Sequence, residues 1–339
     1  MEKLISIIVP CYNVENLIDR CFNSIINQTV GVEKLEIILV DDASEDGTLE
    51  KLLEFEQRFP EAVMVVQCDE NGRQGTARNI GLSYSSGKYI TFVDADDWIE
   101  TDMLERLLRP MSERDYDFTM CMHVRDDGSG RGTKISRNQE CRQLLIDTPN
   151  KRKIFLLCMS IGSTCWGKLY RRSFLYENDI RFADGLSYED HLFMLLLYLY
   201  SRQVCILDYV GYHYFVNPNS TVLMTNGSHH EDVLVVDEIS WDECIRRGFL
   251  DIYFEELEYY FMQIAFLGPL RSLVIRFEAP PYIFYCKLRN NLINRTPNFM
   301  NNQYINDFMT DMNKELLKIA SVPISEAEFS TLFDMLKRK

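Results

Sequence analysis

The residues with the clearest chemical potential are Asp94, Asp96 and Asp97, which follow directly on the apolar run Tyr89-Ile90-Thr91-Phe92-Val93. Carboxylates clustered at the end of a buried strand repel one another and lose solvation unless a cation compensates. The simplest partner is Mg²⁺ or Mn²⁺. These hard ions take oxygen ligands, keep several waters, and are commonly held by one or two carboxylates together with the phosphates of a substrate. Taken alone, the same residues suit an acidic strand-to-helix turn in which Asp caps a helix beginning near Ile99.

Other stretches carry related chemistry. Asp41 and Asp42 end a second apolar run at Val40. They could begin a turn closed by Gly47, or accept hydrogen bonds from a base's ring N–H or a ribose hydroxyl. Gly72 to Asn79 joins a glycine-containing loop to a helix start and offers backbone N–H groups with Arg73 and Arg78. Neither a Gly-x-Gly-x-x-Gly spacing nor a P-loop occurs. Ser187-Tyr188-Glu189-Asp190-His191 opens the apolar run Leu192 to Tyr200. Its acids serve a helix macrodipole, or one of them, partly desolvated, acts as a general base. Trp166 and Lys168 could meet a sugar, although a lone Trp is more often core. His213, between Tyr212 and Tyr214, could touch a metal or phosphate, a buried structural histidine being the ordinary alternative.

These residues need a scaffold, and the first half of the chain supplies one. Apolar strands at Ile5–Val9, Leu35–Val40, Ala62–Gln67 and Lys88–Val93 alternate with helical spacing at Glu15–Gln28, Thr48–Arg58, Gly75–Ser83 and Thr101–Leu108. Continuous apolar strands separated by amphipathic helices predict an α/β fold with a doubly wound, mostly parallel sheet. In such sheets ligands bind at the strands' carboxyl ends, where Pro10-Cys11-Tyr12-Asn13, Asp41-Asp42 and Asp94 to Asp97 all fall. The polar stretch Asp126 to Thr133 reads as a mobile loop. The expected domains are residues 1–225, nucleotide-binding and catalytic, and residues 226–339, a mostly helical region rich in Tyr and Phe for acceptor, membrane or oligomer contacts.

Composition narrows the classes. In 339 residues, 46% are hydrophobic and 26% charged, and the net charge is -15, which disfavours nucleic acid and anionic lipid as partners. The ten cysteines are scattered singly and read as free thiols of a reducing cytoplasm. The start has too short an apolar run for a signal peptide. Tyr259 to Phe277 is interrupted by Gln263, Gly268, Pro269, Arg271 and Arg276 and does not read as a membrane span. Phe254 to Phe284 is apolar enough to dock peripherally on the inner face of a membrane, a buried helical pair being its more ordinary use.

Taken in order, Val9-Pro10-Cys11-Tyr12-Asn13, Val40 to Thr48, Gly75 to Gly81 and Val93 to Trp98 resemble family-2 glycosyltransferases of the GT-A fold. The Trp166 to Tyr170 segment followed by Phe182 to Phe193 resembles the capsular and exopolysaccharide members, and the likeness covers residues 4 to 221. It implies inverting transfer of a hexosyl group from a nucleoside-diphosphate sugar, most often a UDP-sugar, to a saccharide or lipid-linked acceptor, aided by Mg²⁺ or Mn²⁺. By motif position, Asp42 holds the uracil, and Pro10, Tyr12 and Arg78 line the nucleotide, with Asn13, Asp41 and Ala95 beside them. Asp94 faces the ribose, Asp96 binds the metal with His213 as a further candidate, and Asp97 is structural. Glu189 and Asp190 form the acidic pair, Asp190 being the base, and Trp166 and Lys168 meet the acceptor. Gly167 stands where many relatives carry Asn. A homo-oligomer is a further partner expectation for the chain, and the rival class is a non-catalytic nucleotide-sugar-binding or assembly protein built on the same fold. Nucleotidyl transfer would want a glycine-rich loop where Pro10 to Asn13 stand.

Overall fold

In the computed structural model, which describes residues 3–126, 137–217 and 224–338, strand β1 (Ile5–Cys11) is buried along its whole length. It can be, because its neighbours are also apolar: β2 (Leu35–Asp41) and β4 (Tyr89–Phe92) flank it in parallel, and β3 (Val63–Gln67) continues outward from β2. Helices α1 (Ile18–Ile26), α2 (Thr48–Arg58) and α3 (Arg73–Tyr84) make the crossovers that parallel strands require. Helix α1 buries Ile18, Cys21, Phe22 and Ile25, one face of a helix, and Phe22 stacks on Phe55 of α2 with centroids 3.8 Å apart. Helix α3 lies so close to β1 that a Cβ on Gly81 would stand 2.4 Å from Cγ2 of Ile8.

Beyond β4 the sheet is mixed rather than parallel throughout. Among the described residues it has nine strands, which with β5 (Trp98–Ile99), β6 (Phe118–Asp126), β7 (Arg137–Leu145), β8 (Lys168–Arg171) and β9 (Gln203–Phe215) run in the order β3-β2-β1-β4-β8-β6-β9-β5, with β7 paired to β9. Strand β8 runs antiparallel to β4 and to β6, while β6 runs parallel to β9. Strand β7 and the two-residue β5 are antiparallel to β9. The expected helix start near Ile99 is therefore a strand. Its Trp and Ile suit the pleated ladder with Tyr212 and His213, and α4 (Met103–Glu113) begins after Asp102, whose carboxylate holds Arg106 at 2.7 Å instead of capping. Asp126 closes β6, and the rest of the stretch read as a mobile loop lies outside the described residues.

The cysteines depart from expectation at one pair. Pairing of β7 with β9 sets Gln143 opposite Cys205 and brings Cys141 within a Cα distance of 6.0 Å, and the two are joined by a disulfide. Cys11, Cys21, Cys121, Cys165 and Cys244 are buried thiols.

The chain divides into two compact units: Met1–Thr148 with Ile161–Gly185 and Phe193–Pro218, and Pro149–Ser160 with Leu186–Leu192 and Asn219–Lys339. The first holds the sheet, α1 to α4 and α6 (Arg172–Glu177). The second takes in two short segments that precede residue 226, one of them containing α5 (Pro149–Cys158) and the other the start of α7 (Asp190–Tyr200). Its remainder is helical: α8 (Asp232–Arg246), α9 (Leu250–Phe261), a π-helical stretch Met262–Leu267, α10 (Gly268–Arg276), α11 (Tyr282–Arg295), α12 (Tyr304–Phe308), α13 (Asp311–Ser321) and α14 (Glu326–Lys337). Met262, Phe266, Leu267, Leu270, Leu288 and Leu317 form its core, so much of the aromatic stretch 254–284 is buried inside it. Among the described residues no helix is long and apolar enough to cross a membrane.

Candidate active site

Parallel pairing places Cys11 opposite Asp41, so the loops leaving β1 and β2 run side by side. Asn13 N–H donates to Ser44 Oγ at 3.1 Å, and Asn13 Oδ1 accepts from Glu45 N–H at 2.8 Å. Asn13 and Ala43 both have positive φ, 51° and 58°. Asn tolerates that conformation, whereas for Ala it is strain held by the surrounding bonds. Pro10 is buried beneath this rim and the Tyr12 ring is 44% exposed on it. Asp42 Oδ1 accepts from Gly72 N–H at 2.8 Å. Burial raises the pKa of Asp42, partly offset by the Gly72 and Arg73 N–H groups. Asp41 is 1% exposed; its Oδ2 accepts from Ser44 N–H at 3.4 Å, and its Oδ1 has no hydrogen-bond partner. A buried acceptor without a donor is costly by about 1–3 kcal/mol, which a ligand N–H or O–H would relieve.

At the neighbouring strand end, Arg78 and Asp94, read from sequence as separate nucleotide contacts, are partners. Arg78 Nη2 lies 2.7 Å from Asp94 Oδ1, and the guanidinium is 2% exposed over the Phe182 ring. The turn that follows is held from β9. Asp94 N–H donates to Tyr212 Oη at 3.1 Å, the Tyr212 hydroxyl donates to Asp97 Oδ2 at 2.6 Å, and Asp97 Oδ1 accepts from Phe215 N–H at 2.8 Å. Desolvation, then the charges of Asp94 and Asp96, push Asp97 up to about 9. Asp96 is also raised, by burial first and by Asp94 second; it accepts from Asn217 Nδ2 at 3.3 Å, while Arg20 Nη2 donates to its carbonyl at 2.9 Å. Ala95 is buried between them.

The donor set fits a hard divalent ion in part. Asp94 and Asp96 offer carboxylate oxygens, and burial first and the charge of Asp94 second raise the pKa of Asp96. Among the described residues no group of three or more His, Cys, Asp or Glu is arranged to enclose an ion. Mg²⁺ or Mn²⁺ would therefore need the oxygens of a diphosphate and water to complete its shell, which is its habit. His213 does not join this set through Nε2. That atom stands 2.8 Å from Glu100 Oε1, the ring stacks on Trp98 at 3.4 Å, and burial lowers its pKa.

The two acceptor candidates are interior. Trp166 is 8% exposed and stacks on Tyr212 with centroids 4.3 Å apart; Lys168 is 2% exposed and its Nζ donates to the Thr164 carbonyl at 2.5 Å. Both belong to a packed aromatic layer rather than to an open sugar platform. Between them Gly167 has φ +69°, and a Cβ there would meet nothing closer than 3.7 Å. What this position requires is left-handed backbone, which Gly and Asn both supply, so the departure from Asn is a conformational equivalence.

Glu189 and Asp190 belong to the second unit. Glu189 is buried and Asp190 is the first residue of α7. Tyr188 before them has φ 65°, and its hydroxyl lies 2.6 Å from His230 Nδ1. The Tyr212 bridge, Asn217 and Arg20 escaped sequence reasoning. The one available signal was that a buried tyrosine requires a partner for its hydroxyl.

The glycosyl transferase family 2 model matches residues 6–178. A poly(ribitol-phosphate) beta-glucosyltransferase of Bacillus spizizenii is 32% identical over 213 residues, 62% of this chain and 32% of that protein. EpsJ of Bacillus subtilis, an uncharacterized glycosyltransferase, is 32% identical over 234 residues, 65% of this chain and 63% of its own length. The chain thus spans about a third of the first relative and less than two thirds of the second. The crystal structure of S. aureus TarS 1-349 superposes with a TM-score of 0.68 at 23% identity, covering 99% of this chain and 90% of that one. The same protein in complex with UDP-GlcNAc superposes with a TM-score of 0.66. These structures share the fold.

Proposed function

The chain belongs to glycosyl transferase family 2, and from that premise we propose that it moves a sugar from a UDP-sugar to a hydroxyl of a saccharide or lipid-linked acceptor in surface polysaccharide synthesis. The transfer inverts the anomeric centre, is assisted by Mg²⁺ or Mn²⁺, and takes place on the cytoplasmic side of the membrane. The observation that carries this reading is the Asp94–Asp97 cluster beside the buried Arg78, with Asp94 and Asp96 partly exposed and Asp97 buried, at the same sheet edge as Asp41 and Asp42.

In this reading Asp41 and Asp42 accept from the base and ribose, with Pro10, Tyr12, Asn13 and Ala95 lining the nucleotide. Asp96, with Asp94 held in place by Arg78, would hold the ion together with the diphosphate. When bound, the ion offsets the negative charge that develops on departing UDP. Asp190, with Glu189 beside it, takes the proton of the acceptor hydroxyl, which attacks in line. No enzyme nucleophile is required, in contrast to double-displacement glycosidases. Support for the donor comes from a fold relative solved with UDP-GlcNAc, and support for a polymer hydroxyl as acceptor from the poly(ribitol-phosphate) beta-glucosyltransferase.

The test is release of UDP from a panel of UDP-sugars with Mn²⁺. Asp96→Ala and Asp190→Asn are each expected to lower turnover at least about 100-fold, in line with the loss of a charge-stabilising or general-base group. Unchanged turnover in Asp96→Ala with the fold intact would refute the assignment.

A further inference from the structure

Within the second unit, the segment Ser187 to His191 is bound to residues 230–237 at three points. Ser187 N–H donates to Asp232 Oδ2 at 3.1 Å. The Tyr188 hydroxyl lies 2.6 Å from His230 Nδ1, and His230 Nε2 lies 3.0 Å from the Met224 carbonyl. Because a carbonyl only accepts, Nε2 carries a proton, and in the neutral ring Nδ1 then accepts from the Tyr188 hydroxyl. His191 Nδ1 stands 3.6 Å from Asp237 Oδ1, a contact longer than a hydrogen bond, and Asp237 is 1% exposed, so the two groups face each other away from water. Burial raises Asp237, while Asp237 raises His191 against its own desolvation, so each partner depends on the other.

These contacts surround a residue in an unfavourable conformation. Tyr188 has φ 65°, a left-handed value that an aromatic residue adopts only when its surroundings over-determine it. The next two residues are Glu189 and Asp190. Three side chains from 230–237 therefore meet the residues that flank the acidic pair, Ser187 and Tyr188 before it and His191 after it.

We propose that the C-terminal helical region positions the general base. His230, Asp232 and Asp237 hold Ser187, Tyr188 and His191 so that the strained turn presents Glu189 and Asp190 in one geometry. This rests on the proposed function for the identity of the base. None of the three is a catalytic residue; they act through the backbone that carries it. The expected signature is loss of kcat without loss of donor binding.

The experiment compares Tyr188→Phe, which removes one hydroxyl and keeps the ring, with Asp237→Asn. Each is expected to lower kcat for UDP-sugar turnover about ten-fold or more, since misplacement by an ångström has that scale of effect. Donor KM and the dissociation constant of UDP should stay within about two-fold. Ser325→Ala, which removes the capping box of α14, lowers stability and leaves kcat unchanged. Native-state hydrogen exchange of residues 187–191 decides the positioning independently of turnover, and faster exchange in Tyr188→Phe and Asp237→Asn is expected. Unchanged exchange, or equal losses of kcat and UDP binding, overturns it. A parent protein that turns over no UDP-sugar refutes the proposed function, while the exchange result still decides this one.

Discussion

Replacing Tyr212 by Phe deletes a single oxygen that serves two groups. The hydroxyl accepts from Asp94 N–H at 3.1 Å and donates to Asp97 Oδ2 at 2.6 Å, at a residue with no exposed surface. The ring remains stacked on Trp166, so packing is kept and the change is confined to hydrogen bonding. Each orphaned buried polar group costs about 1–3 kcal/mol, and the Asp97 carboxyl retains Phe215 N–H as its other donor. A loss of about 3 kcal/mol is therefore expected, or roughly 6–12 °C in Tm for a unit of this size. Because the freed turn carries Asp94 and Asp96, affinity for UDP in the presence of Mn²⁺ should fall as well. The assays are denaturant unfolding and UDP titration. A Tyr212→Phe protein within about 0.5 kcal/mol of the parent would show that the hydroxyl does not hold this turn, and would refute the reasoning.

Glycines offer a contrast. Gly81→Ala puts a Cβ 2.4 Å from Ile8 Cγ2 between α3 and β1, and overpacking of this kind should cost about 1–3 kcal/mol. Gly167→Ala meets only ordinary contacts but keeps φ +69°, so the loss should be about 1 kcal/mol and smaller still for Gly167→Asn; unfolding midpoints check both. Burial lowers the pKa of His213, so the folded protein binds its proton less readily than the unfolded chain. Its contribution is thus lost as pH falls below the unfolded value of about 6.5, and His213→Asn should flatten the slope of stability between pH 7 and pH 5. UDP should raise Tm more with Mn²⁺ than with chelator, and Asp96→Ala should abolish the difference, because only binding to the native state shifts the transition.

How much of this was legible depends on the range of the interaction. Strands β1, β2 and β4 are continuous apolar runs and announce themselves locally, as does the placement of Asp41-Asp42 and Asp94 to Asp97 at their ends. Helix α1 shows its buried face in four residues. Strand β5 does not announce itself. Trp98-Ile99 becomes a strand because β9 pairs with it from more than a hundred positions downstream, and without that partner an acidic run before an apolar helix is the better reading.

Sequence by itself determined the family, the α/β half and the helical last third, and which acidic clusters sit at strand ends. Each of these follows from local periodicity and the order of short motifs. Tertiary structure alone decided which charges meet: Arg78 with Asp94, Tyr212 with Asp97 across 115 positions, His213 with Glu100, and His191 with Asp237. It also turned Trp166 and Lys168 inward and left Asp41 Oδ1 without a donor. The reason is physical. A buried polar group must be satisfied by whatever the fold brings within about 3 Å, and that partner is chosen by strand order and register rather than by neighbours in the chain.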